Sequence, residues 1–124
     1  MSTSYSIYVR IDQPHELVVR GLQEIVGRPL IEVVNRRTYF TAKVLGVEIS
    51  LVYPIPYQDD VIAYSKYSYE IMIEYDGSFD STYSNSYRKI ISIVLAEMVS
   101  RHFNCECLAV EGSGDLVNAH FFPI

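Results

Sequence analysis

The sequence predicts a single α+β domain over residues 1–124, in which a mainly antiparallel sheet of five to six strands carries two helices on one face. Three observations lead to this two-layer sandwich. Strand-like segments follow one another through short turns in the order β-α-β-β-β-β-α-β-β, without the strict alternation of a doubly wound fold. One segment, residues 84–103, has the length of a helix that can cover such a sheet. A length of 124 residues fits one domain.

The chain begins with a predicted strand and a predicted helix. Apolar and polar residues alternate over residues 4–11, which is typical of a half-buried strand. Asp12 or Gln13 is then suited to cap a helix that ends at Gly27. Gly21 lies on the apolar side of this helix, where glycine costs about 1 kcal/mol relative to alanine. We therefore expect a close approach to the sheet at Gly21.

Extended segments dominate the rest of the chain, and we predict them at residues 30–34, 38–45, 47–53, 61–65, 69–75, 105–111 and 116–122. Of these, 30–34 is also compatible with an extended connection and 61–65 with an irregular crossing. Gly46 separates the two arms of the best hairpin, and the sequence GSGD at 112–115 indicates a second one. Residues 35–37 are predicted to form a turn. Over 69–75 we expect Ile71 and Ile73 to point inward and Glu70, Met72 and Glu74 to point outward.

The long helix at residues 84–103 is predicted to bury one apolar stripe against the sheet. The stripe consists of Tyr87, Ile90, Ile91, Val94, Leu95 and Met98. The opposite, solvent-facing side is predicted to consist of Arg88, Lys89, Ser92, Ala96 and Ser100. Val94→Asp should then unfold the domain, whereas Ser92→Asp should be tolerated. Asn104 can adopt the left-handed conformation that ends the helix.

Composition excludes several classes of function. A net charge of −5 argues against non-specific nucleic-acid binding, which needs a basic surface. The sequence has neither a signal-peptide pattern at its N-terminus nor an apolar run long enough for a membrane helix, so we predict a cytoplasmic protein. Cys105 and Cys107 lie too close for an easy disulfide and have no further ligands nearby, which indicates buried thiols in a reducing compartment. We predict no metal and no cofactor.

No catalytic motif is evident. His15, His102 and His120 are far apart, and the sequence contains neither HExxH nor GxSxG. Glu70 and Glu74 would lie about 13 Å apart along one strand, which is wide for the paired carboxylates of a glycosidase. We therefore predict a protein that is not an enzyme. Two alternatives remain: a small hydrolase or transferase that uses a histidine or an aspartate pair, and a small-ligand-binding domain with a pocket between helix and sheet.

Acidic residues and tyrosines are concentrated in the middle of the chain. Residues 44–83 contain one basic and seven acidic residues, together with seven of the 11 tyrosines. Tyrosine is enriched in interfaces, and interleaved carboxylates would attract a cationic partner. The candidate partner-binding residues are Tyr57, Asp59, Asp60, Tyr64, Tyr67, Glu70 and Glu74. A solvated strand face and tyrosines that merely line the sheet would also account for this pattern.

The segment VSRHFNCECLAVEGSG at 99–114, a helix end followed by Asn and a strand into a glycine turn, resembles small immunity proteins of bacterial toxin systems. These include the proteins paired with contact-dependent growth-inhibition toxins. The resemblance implies a cytoplasmic protein that binds and blocks a cognate toxin, commonly a cationic nuclease. It identifies no functional residue. Together with the acidic middle, it leads us to expect a non-enzymatic protein that neutralises a basic protein partner.

Overall fold

In a computed structural model, described for residues 5–34, 38–53, 67–75, 81–112 and 115–123, seven antiparallel strands form one sheet with two helices on one face. The elements are β1 (Tyr5–Arg10), α1 (His15–Val26), β2 (Ile31–Val34), β3 (Thr38–Val44), β4 (Val47–Val52), β5 (Tyr69–Tyr75), α2 (Ser81–Phe103), β6 (Glu106–Glu111) and β7 (Asp115–Phe122). Their order across the sheet is β2-β3-β4-β5-β1-β6-β7.

The predicted fold class and element order are therefore confirmed. The sheet has seven strands instead of five to six because the segment at 30–34, which also fitted a connection, forms the edge strand β2. The turn predicted at 35–37 and the strand predicted at 61–65 lie outside the described residues. Neither described helix combines the length and the apolar character needed to cross a membrane.

The two faces of the sheet differ in what packs on them. From β1, an interior strand of the sheet, Tyr5, Ile7 and Val9 point toward the helices, whereas Ser6 and Tyr8 point the other way. This alternation follows from the two-residue repeat of a strand. We call the side without helices the second face. The helix side holds the main core, which includes Ile7, Val9, Val18, Leu22, Ile49, Leu51, Ile71, Ile73, Leu95 and Val99.

Helix α1 begins after Pro14, which occupies the N-cap position without a side-chain hydrogen bond. The prediction that Asp12 or Gln13 caps this helix was therefore wrong. Gly27, with φ of 74°, ends the helix as predicted, because its N–H donates to the carbonyl of Gln23.

Gly21 of α1 lies against the C-terminal end of α2. A Cβ atom placed on Gly21 would lie 2.3 Å from Cζ of Phe103, a residue of α2. A methyl group here would occupy the space of the Phe103 ring, so alanine would force that ring to move. The expected close contact exists, but it joins α1 to α2 instead of α1 to the sheet.

Helix α2 buries a different face from the one its apolar pattern predicts. Ile90, Val94 and Met98 are 60%, 49% and 45% exposed. The buried side instead contains Arg88, Ser92, Leu95, Ala96, Val99 and Ser100. Of the predicted stripe, Leu95 is buried and Tyr87 and Ile91 are partly buried against the core.

Small side chains and internal hydrogen bonds explain why α2 packs on this polar face. The Ser92 hydroxyl donates to the Lys89 carbonyl, and the Ser100 hydroxyl donates to the Cys105 carbonyl, so both hydroxyls are satisfied. Between them, Ala96 is fully buried and allows the helix to lie close to the sheet. At Asn104, φ is 53°, so this residue adopts the left-handed conformation predicted after the helix.

Candidate functional site

Side chains of neighbouring strands form rows across the second face. One row crosses β4, β5, β1 and β6 through Val52, Glu70, Tyr8 and Leu108. The next row contains Ser50, Met72, Ser6 and Val110. A third row, on β3, β4 and β5, contains Lys43, Glu48 and Glu74. Most of the first two rows is buried, whereas the third is exposed or half-buried, so this face has a closed part and an open charged end.

Tyr67 belongs to the closed part. It packs with Tyr8, Leu108 and Val110, and its ring centroid lies 6.1 Å from that of Tyr8. Its hydroxyl donates to Glu106 Oε2 at 3.1 Å. Because it is buried, Tyr67 is not the exposed interface residue that the sequence predicted. Substitution by alanine would therefore disturb the packing of this face.

The environment of Tyr67 favours the neutral phenol. Burial, reinforced by the hydrogen bond to Glu106 and by the charge of that carboxylate, raises the pKa of Tyr67 to about 12. Arg10, whose Nη1 atom lies 3.8 Å from Glu106 Oε1, opposes this shift. The cluster therefore holds a proton on Tyr67 at a pH at which an exposed tyrosine loses it.

We expect this proton to contribute to the alkaline limit of stability. A tyrosine whose pKa is raised in the folded state binds more protons folded than unfolded between pH 10 and about 12, so the free energy of unfolding decreases across that range. Tyr67→Phe should make the decrease shallower. The measurement is urea unfolding of both proteins from pH 8 to pH 12. If the free energy of unfolding decreases with pH equally in both proteins, Tyr67 does not carry the raised pKa. Burial also raises the pKa values of Tyr5, Tyr53 and Tyr69, so these tyrosines contribute to the decrease that remains in the variant.

Glu70 is the most unusual residue of the second face. It was predicted to point outward into solvent, but its side chain is only 2% exposed. Its Oε2 atom accepts a hydrogen bond from the Ser6 hydroxyl at 2.9 Å. For Oε1, the described part of the chain supplies no hydrogen-bond donor. A buried carboxylate oxygen costs free energy unless it accepts a hydrogen bond, so the Ser6 hydroxyl is the contact among the described residues that stabilises Glu70 in this position.

Two carboxylates face each other at the open end. Glu48 on β4 pairs directly with Glu74 on β5, and Lys43 pairs with Glu48 from the other side. Glu74 is exposed and Glu48 half-buried. Like charges directly opposite in an antiparallel sheet are destabilising, and a cationic group placed over them would relieve the repulsion. This end of the second face can therefore accept a positively charged group.

The candidate residues from the sequence thus have different outcomes. The structure brings Tyr67, Glu70 and Glu74 to one face of the sheet but leaves only Glu74 accessible. Tyr57, Asp59, Asp60 and Tyr64 lie outside the described residues, and their role in binding stays a prediction. Sequence reasoning missed the partners Ser6, Glu48 and Glu106, because strand alternation indicates which face a residue is on but not its neighbour on the next strand.

The histidines with described side chains have structural neighbours. His15 stacks on Tyr53 with 4.7 Å between ring centroids, and its Nε2 lies 3.4 Å from Glu16 Oε1. His102 Nε2 lies 3.6 Å from Glu24 Oε2. Among the residues that the structure describes, no three His, Cys, Asp or Glu side chains are grouped to hold a metal ion.

Cys105 and Cys107 are free and buried, as predicted, with 4.0 Å between their sulfur atoms.

Comparisons with protein families, with curated proteins and with solved structures found no match to this chain.

Proposed function

We propose that this chain is a non-enzymatic cytoplasmic protein that binds and neutralises a basic protein partner through the open end of the second face. The partner class follows from the sequence: an acidic middle segment, and a resemblance to immunity proteins that block cationic toxin domains. A cognate toxin domain is accordingly the partner we favour.

The observation that carries the proposal is the pairing of Glu48 with Glu74. Two carboxylates opposite each other on a sheet face without a covering helix reduce the stability of the free protein. An arginine or lysine of a partner would relieve this repulsion and gain two charge-assisted contacts. Charged groups at the rim of an interface act mainly on the rate of encounter and on the orientation of the partner. We therefore expect charge at this site to govern association.

The test uses a basic protein captured from the native cytoplasm or the purified product of the neighbouring open reading frame. Glu48→Lys combined with Glu74→Lys should slow association by about tenfold at low ionic strength and flatten its dependence on salt. Dissociation should change less. The measurement is stopped-flow association at several salt concentrations.

A matched control separates the site from the overall charge. Glu24→Lys combined with Glu97→Lys makes the same change in net charge on the two helices, where both carboxylates are exposed. We expect this control to alter association by less than about threefold, since screening limits the influence of distant charges. If both double variants slow association equally, net charge and not this face guides the partner. If neither does, the interface lies elsewhere.

A further inference from the structure

We propose that the outer edge of β2 is a strand-addition site, at which an extended apolar segment of another protein continues the sheet. The main-chain groups of this edge do not belong to the open end of the second face, although Lys43 and Glu48 of that end also line a depression beside the edge. The proposal does not depend on the one made for the open end. Strand β2 ends the sheet, with β3 on its inner side. Ile31 and Val34 are 64% and 71% exposed, although both are β-branched residues that favour packed strands.

The direction of the main-chain groups of β2 follows from the β3–β4 hairpin. Leu45 and Gly46 have φ of 51° and 80°, the two positive values of a type I′ turn, and they join the paired residues Val44 and Val47. In such a turn the flanking pair is hydrogen-bonded, so the main-chain groups of Val44 point toward β4. By alternation, those of Thr41 point toward β2.

The same alternation continues into the edge strand. Thr41 pairs with Ile31, and the β2–β3 register continues without a shift, so Ile31 and Val33 bond inward to β3. The N–H and C=O groups of Glu32 and Val34 consequently point away from the sheet. Among the described residues, none pairs with these outward groups. These donors and acceptors, two residues apart on an open edge, can pair with the main-chain groups of another extended chain.

An apolar depression lies beside this edge and offers room for a side chain of a bound segment. It has a volume of about 330 Å³, and its walls are mainly apolar. Ile31 contributes to it from β2 itself, so the depression begins at the edge strand. The other residues around it are Arg28, Pro29, Thr41, Ala42, Lys43 and Glu48. Main-chain hydrogen bonds with a pocket for an alternate side chain are the recognition mode of strand addition.

A second copy of this chain fits the edge less well than a foreign segment. Two antiparallel registers would pair at least three residues of β2 with β2 of another copy. In one register Glu32 faces Glu32 of the second copy, which is unfavourable. In the register centred on Val33, Ile31 lies opposite a position beyond the end of β2, so that strand supplies no apolar partner for the exposed Ile31. A segment with apolar residues at alternate positions has neither defect.

The test is selection of a phage-displayed random heptapeptide library on the immobilised protein. Glu32→Pro serves as the counter-target, because proline removes an outward N–H without removing a hydrogen bond to β3. Glu32→Thr is the matched control, since it removes the carboxylate but keeps the N–H. Selected peptides should carry apolar residues at alternate positions, bind Glu32→Thr within about threefold of the unchanged protein, and bind Glu32→Pro at least tenfold more weakly.

A second measurement leaves the protein unaltered. N-methylation of a central peptide nitrogen should weaken binding by about tenfold if main-chain hydrogen bonds hold the peptide. The proposal fails if no peptide is enriched, or if the selected peptides tolerate both Glu32→Pro and N-methylation. It also fails if sedimentation shows a dimer that Glu32→Pro abolishes, because the edge would then belong to a second copy of the chain.

Discussion

Ser92→Asp is expected to unfold the domain, whereas Val94→Asp should leave it folded, the reverse of what the apolar pattern of α2 predicts. Ser92 is 3% exposed, and its hydroxyl donates to the Lys89 carbonyl. It lines a narrow gap that also contains Glu111. Aspartate at this position would be larger, would lack the donor and would place a charge in the interior. Lys89, which lines the same gap, is already paired with Glu111 Oε2 at 3.6 Å. We expect a loss on the order of 3 kcal/mol or more in the free energy of unfolding.

Val94 lies on the opposite side of α2, where 49% of it is exposed. An aspartate there remains hydrated, so Val94→Asp should change the free energy of unfolding by less than about 1 kcal/mol. Urea unfolding followed by circular dichroism measures both variants, and Ser92→Ala controls for the lost hydroxyl alone. Equal destabilisation by the two aspartates, or greater destabilisation by Val94→Asp, would contradict the burial seen in the structure.

Ser6→Ala is expected to lower the free energy of unfolding by about 2 kcal/mol, which is more than the loss of one hydroxyl alone would cause. The Ser6 hydroxyl is the donor to Glu70 Oε2, while Glu70 Oε1 already lacks a donor among the described residues. Its removal leaves Glu70, which is 2% exposed, without a hydrogen-bond donor to either carboxylate oxygen from the described residues. A buried acceptor that loses its partner costs about 1–3 kcal/mol, and more if it is charged.

The double variant Ser6→Ala with Glu70→Met should recover this loss. Methionine has a similar length and removes the buried carboxylate, and replacement of both partners by apolar groups is close to neutral or stabilising. Unfolding of the four members of this double-mutant cycle gives the coupling between the two residues. A double variant less stable than Ser6→Ala alone would show that Glu70 stabilises the fold through contacts other than the one with Ser6.

The candidate site was only partly predictable from the sequence. Strand alternation placed Glu70 and Glu74 on one face correctly, since that depends only on the two-residue repeat. It did not distinguish the buried Glu70 from the exposed Glu74. Nor could it pair Glu48 with Glu74, because registers depend on how β4 and β5 align.

The fold class, the order of the elements and several of their ends could be predicted from the amino-acid pattern alone. Gly27 and Asn104 end the two helices because the left-handed conformation is accessible to glycine and asparagine. Gly46 lies in the β3–β4 turn for the same reason. These are local preferences, which depend on a residue and its immediate neighbours.

The buried side of α2, in contrast, depends on how the helix packs on the sheet. Apolar residues occur on both sides of this helix, with Val94 and Met98 exposed and Leu95 and Val99 buried, so the pattern alone favoured the wrong face. Ala96 and the internally bonded serines allow the helix to lie close to the strands. The fit of α2 against the sheet, with Leu95 and Val99 in the core, therefore decides which side is buried, because close packing depends on shape as well as on apolar character.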